Sequence, residues 1–192
     1  PSSPGPTTAL RSPQQNGVVV RSPVPDPTGK FLLPFLPAGN YDVVITSEGR
    51  ATAVLTSVPV TATTTVVNGT GTAFLPPAAT MREITGTASS GTGTTTLVTT
   101  ADVRATQQLT GGPTIQVTAL PVDAVDATYT LRLSAGAPVK AAYAAGSTPT
   151  FAADTAVAGQ YQVQGSAEGF TDVTQDADVS TADQVIDLQF AP

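Results

Sequence analysis

Between residues 31 and 50 the chain reads FLLPFLPAGNYDVVITSEGR: an apolar run, a Pro-Ala-Gly break, then an alternation. Tyr41, Val43 and Ile45 fall on one face of an extended segment, and Asp42, Val44 and Thr46 on the other, because successive strand side chains point to opposite sides. The pattern predicts a strand that stops at a turn at Glu48-Gly49. The same two-residue period returns downstream. Tyr129, Leu131 and Leu133 share a face within residues 126–136, as any β-hairpin of this composition would also arrange them. REITGTASS, ADVRATQQL and TIQVTAL read as three more strands, and residues 8–11 and 18–21 as the first two of the chain. Residues 58–67 and 179–190 read as closing strands, the latter with Val185, Asp187 and Gln189 alternating with Ile186, Leu188 and Phe190. Nowhere does a helical period persist, and Thr and Val abound among 17 Pro and 17 Gly. An all-β protein is expected.

Sliding the sequence against itself by 120 positions sets residues 31–50 on residues 151–170, with seven of twenty identical. The matched positions form a structural signature: Phe31 with Phe151, Gly39 with Gly159, Tyr41 with Tyr161, and Gly49 with Gly169. The glycines permit positive-φ turns at either end of the strand, and the tyrosine opens it with a ring and a hydroxyl that can reach a carbonyl. Two β-sandwich units follow from this repeat, over residues 1–78 and 79–192, joined through LPPAAT. The first unit shows no equivalent of the ITGTA strand, so its sheet is expected to lack an edge strand. Such an edge invites β-augmentation, either by the leader PSSPGPTTALRSPQQN or by a strand of another copy.

With TGKFLLPFLPAGNYDVVITSEGR and TPTFAADTAVAGQYQVQGSAEGF in view, the chain resembles the carboxypeptidase regulatory-like family of transthyretin-type β-sandwiches. In that family a G-x-F strand precedes L-P-x-G-x-Y-x-V and a Gly-ended turn; the second copy has Val157 in place of the Pro. RATQQLTGGPTIQV and PVDA are similar to the C-terminal part of bacterial surface lipoproteins that carry a domain of unknown function. The resemblance implies two tandem small transthyretin/Ig-like β-sandwiches. It also implies a non-catalytic accessory role in a secreted or surface-anchored protein, outside the cell or on the bacterial surface.

Charge and missing residue types narrow the chemistry. A formal charge of −6, with two lysines and six scattered arginines, lacks the basic patch a nucleic acid requires. Without Cys or His there is no disulfide, thiolate or imidazole, which removes the usual nucleophiles, bases and soft-metal ligands. Residues 51–81 are uncharged, yet Pro59, Gly69, Gly71, Pro76, Pro77 and many Thr argue against a membrane span. The chain begins at Pro1 and reads as a processed or excised piece, with no leader peptide left.

Carboxylates supply the remaining candidates. Asp123 with Asp126, and Asp176 with Asp178, have the composition of a glycosidase pair, but lie in turn-rich segments where Asp caps the backbone. Asp176, Asp178 and Asp183 are weak candidates for a calcium site, without the glycine and spacing of a calcium loop. The glycine clusters NGTGTAF and SSGTGTTT lack a phosphate-loop lysine. Lys30 and Lys140 lack a suitably placed Asn for an isopeptide crosslink, and residues 84–192 contain no Asn. The expectation is therefore no enzyme activity and no cofactor. A structural or spacer role leads, with self-association through an open edge. Binding of a surface glycan or protein by Phe35, Tyr143 and Phe170 is the alternative, against a core role for Phe35 and Phe170.

Overall fold

A computed structural model describes residues 26, 30–47, 49–63, 65, 78, 80–92, 94–109, 114–154 and 159–192, together with the backbone of 7–11 and 19–21. Every regular element among them is a strand, so the all-β expectation holds. Glu48 and Val157 lie outside the described residues.

β1 (Thr7–Arg11), β2 (Val19–Arg21), β3 (Gly39–Thr46) and β4 (Ala53–Val60) form an antiparallel sheet in the order β4-β3-β1-β2. β1 and β2 match the two expected opening strands to within a residue. The closing strand of this half is Ala53–Val60 and not 58–67. Its register explains the shift: the hairpin turns at Gly49, at φ 72°, and pairs Ile45 with Ala53 through to Gly39 with Val60. Between these ends Tyr41 pairs with Val58 and Val43 with Leu55, which leaves Ser57 as an extra residue at φ 60°. Its N–H donates to Asp42 Oδ1 at 3.0 Å, so Asp42 clamps a β-bulge. Gln162 stands at the matching position of the repeat, and there the strands run in unbroken register.

The second four-stranded sheet repeats the first. β7 (Asp102–Gln108), β8 (Thr114–Pro121), β12 (Gln160–Ser166) and β13 (Val173–Asp178) lie in the order β13-β12-β7-β8, all antiparallel. Facing it is a sheet centred on β5 (Met81–Ser90). β9 (Thr128–Ser134) and β6 (Thr96–Leu97) pair antiparallel with β5, while β14 (Gln184–Val185) and β15 (Leu188–Phe190) pair parallel to it. Ile84, Tyr129, Leu131, Leu133, Leu188 and Phe190 meet Val103, Ala105, Tyr161 and Val163 in one apolar core, the arrangement of a β-sandwich. The expected single strand over 179–190 is two short ones. Between them the Ile186 N–H still bonds Thr85 O at 2.8 Å, and side-chain carboxylates hold two further β5 amides. Asp183 Oδ1 accepts the Glu83 N–H at 3.0 Å, and Asp187 Oδ1 accepts that of Thr87 at 2.9 Å.

β10 (Val139–Ala142) and β11 (Ala152–Ala153) come after residue 78 in the chain yet join the first sheet. They leave the sandwich between β9 and β12 and extend the first sheet to β11-β10-β4-β3-β1-β2. β10 runs parallel to β4, Val139 opposite Ala53 and Ala142 opposite Thr56. Over residues 53–56 the β4 edge of the first sheet is thus covered by the chain's own second half.

Candidate functional site

Each candidate carboxylate but Asp176 accepts a main-chain N–H. Asp123 Oδ1 accepts the N–H groups of Val125 at 2.7 Å and Asp126 at 3.3 Å. Asp126 Oδ1 accepts the hydroxyl of Thr128 at 2.6 Å and its N–H at 3.0 Å, and those two bonds lower its pKa. Asp178 Oδ1 accepts the Ser180 N–H at 2.9 Å, and hydrogen bonds from Ser180 hold its pKa below the ordinary carboxylate value. Asp176 accepts a bond from Gln162 Nε2 at 3.2 Å, and Asp183 holds the Glu83 amide on β5. Asp176, Asp178 and Asp183 therefore face three different partners, and among the described residues no three carboxylates gather as a metal site would need. These side chains stitch turns and strand edges, as short Asx contacts do.

The signature residues divide. Gly49, Gly159 and Gly169 have positive φ (72°, 67° and 84°), whereas Gly39 enters β3 as a strand residue. Tyr41 and Tyr161 are both buried at the start of equivalent strands, yet their hydroxyls go to different places. Tyr41 donates back to Pro37 O at 2.8 Å; Tyr161 crosses the sandwich to Ser134 O at 2.5 Å. The Tyr129 hydroxyl instead stays within its own sheet, passing over β5 to Ile186 O. Phe31 and Phe151, matched by the repeat, pack against one and the same core.

Burial pushes the phenols of Tyr129 and Tyr161 far above their ordinary pKa of 10.0, with Asp187 adding to the effect at Tyr129. A raised folded-state pKa means that folding favours the protonated phenol, so this stability is complete below the unfolded pKa. It is lost as the pH climbs above about 10. Urea unfolding across this range should show a midpoint that drops steeply, and Tyr161→Phe should flatten the drop. An unchanged alkaline slope in Tyr161→Phe would rule this contribution out.

The polar and apolar groups converge instead at the junction of the two halves. Val139 N–H donates to Thr52 O at 2.8 Å and Tyr143 N–H to Thr56 O at 3.0 Å. Val139, Ala141, Tyr143 and Phe151 then pack with Tyr41, Val43, Leu55, Phe31, Leu33 and Leu36. On the opposite face of the same sheet Val44 and Val54 meet Leu109 and Ile115 of the second half. β3 is consequently buried on both faces, although its alternation of Tyr41, Val43 and Ile45 with Asp42 predicts one wet face. Sequence reasoning passed over the arm, whose signal is the short alternation Val139, Ala141, Tyr143 in VKAAY.

The aromatic candidates separate as well. Phe170 stacks edge-on against Phe190 with centroids 5.8 Å apart, and Tyr143 is half-buried on the first core. Phe35 alone projects: it is 90% exposed, beside Leu32 at 75%, and its φ is 59°. A bulky side chain in the left-handed region is held there against a local cost. The segment is clamped at both ends, by Lys30 N–H to Asp26 Oδ1 at 3.0 Å and by the Tyr41 hydroxyl on Pro37 O.

Among the described residues no helix is long and apolar enough to cross a membrane. No protein-family model matches the chain, and neither a curated protein nor a solved structure is significantly similar to it.

Proposed function

We propose that the chain is a non-catalytic structural or spacer module of a secreted or surface-anchored bacterial protein, and that it associates with further copies through a sheet edge. The observation that carries this reading is the junction of the halves. A parallel backbone ladder from β4 to β10 and apolar contacts on both faces of β3 join the halves. Asp42, Asp123, Asp126, Asp178, Asp183 and Asp187 each accept a main-chain N–H, which favours architecture over reaction chemistry. The resemblance to surface sandwich modules supports a location outside the cell. Single-molecule pulling tests the reading. The halves should resist together and give way in one main event; two independent low-force events would count against it.

A second reading is favoured by Phe35. An aromatic ring displayed on a clamped, proline-braced segment is the form a carbohydrate- or protein-binding contact takes. Phe35→Asn keeps the left-handed backbone at lower cost and should raise stability by up to about 1 kcal/mol. On a glycan array, hits lost in Phe35→Asn would establish the binding reading; an array blank for the native chain would remove its carbohydrate form.

A further inference from the structure

The β10–β11 arm packs none of its apolar residues into the core of the sandwich from which it springs. Val139, Ala141, Tyr143 and Phe151 all pack in the core around Tyr41 and Leu55, and none joins the core around Ile84 and Leu188. The arm is nevertheless a coherent hairpin. Val139 and Lys140 pair with Ala153 and Ala152, Lys140 Nζ meets Asp154 Oδ2 at 2.6 Å, and the Asp154 N–H donates to Pro138 O at 2.7 Å. Its acceptor is the β4 edge, which offers the carbonyls of Thr52 and Thr56. Donor and acceptor are different surfaces of one chain. A contact of that kind can form between copies as well as within one, and between copies it links them head to tail, in a ring where the rotation closes and in an open series where it does not.

We propose that the β4 edge is also the site where a second copy of this chain docks, its β10–β11 arm replacing the resident one, so that copies link in series. The proposal rests on the structural reading above and names the partner for it. β4 and β13 hold equivalent positions in the two four-stranded sheets, and they are treated in opposite ways. β13 ends its sheet and carries Asp176 and Asp178, charges that discourage pairing along an edge. β4 carries no charge and receives a strand. Residues 61–80, between β4 and β5, likewise carry no charge. Tethered partners experience local concentrations in the millimolar range. Linkage between copies therefore gains on linkage within one at the density of a packed surface layer.

The chain contains no cysteine, so introduced thiols report cleanly. Thr56 and Ala142 are paired across β4 and β10, within reach of a disulfide. The double variant T56C/A142C, oxidised when dilute, should close within one chain. The single variants Thr56→Cys and Ala142→Cys, carrying different tags, are then unfolded together, refolded at about 1 mM and oxidised. They should give a covalent heterodimer at least about tenfold above that of Thr56→Cys mixed with Thr100→Cys, an exposed turn residue between β6 and β7 that is not paired with β4. Heterodimer at the control level, with the double variant closing normally, overturns exchange while leaving the structural reading intact. Failure of the double variant to close overturns the arm pairing itself, and the proposal with it.

Discussion

Gly86→Ala is expected to be the most damaging single methyl that can be added to this protein. A Cβ at Gly86 would stand 1.9 Å from Ile186 O, 2.7 Å from its carbonyl carbon and 2.9 Å from Tyr129 Cε1. The first two are backbone atoms and cannot rotate aside. Accommodation requires β14 to move off β5. That movement strains the Tyr129 hydroxyl bond to Ile186 O and the Asp183 and Asp187 contacts with β5 amides. Overpacking of this kind should cost about 3 kcal/mol or more, a large part of an ordinary domain's stability. Gly146→Ala provides the comparison, since its φ is 72° and nothing lies within 4 Å of the added methyl. It should cost only about 1 kcal/mol, for the left-handed backbone. Urea midpoints of the two variants decide the matter; equal losses would show that β14 is not held against β5 as described.

Ala141→Pro is expected to release the arm. In the parallel ladder Val139 and Tyr143 send their N–H groups to Thr52 and Thr56 of β4, so the alternation directs the Ala141 N–H to β4 as well. Proline removes that donor in the middle of the run, at a buried position between β4 and β11. The orphaned acceptor and the displaced ring should together cost on the order of 3 kcal/mol. Ala142→Pro, exposed and with its N–H turned away from β4, should cost well under half as much. Comparable losses in the two variants, followed by chemical denaturation, would mean that the arm is not paired along β4.

The strands were legible in the sequence where one face is apolar and the other polar. Tyr129, Leu131 and Leu133 alternate with Thr128, Thr130 and Arg132, and β9 is buried and exposed in that order. The repeat was legible too, because Gly49 and Gly169 need positive φ and Tyr41 and Tyr161 need a core. What escaped depends on contacts far apart in the chain. Ser57 bulges because Asp42 receives its N–H, fifteen residues away. Beside β14 and β15, carboxylates hold β5 amides one hundred residues distant in the chain. The arm has only four strand residues before it turns, too short a run to announce which sheet it joins. The carboxylates drew attention as possible ligands because sequence shows their spacing and hides the backbone groups that occupy them.

The joining of the two halves is open to direct observation by hydrogen exchange at single amides. Val139 and Tyr143 N–H groups are bonded to β4 carbonyls. They should exchange as slowly as the β3–β4 amides, and all should speed up together in Ala141→Pro. Fast exchange at Val139 and Tyr143 in the native chain, beside a protected β3–β4 hairpin, would contradict the strand that joins the halves.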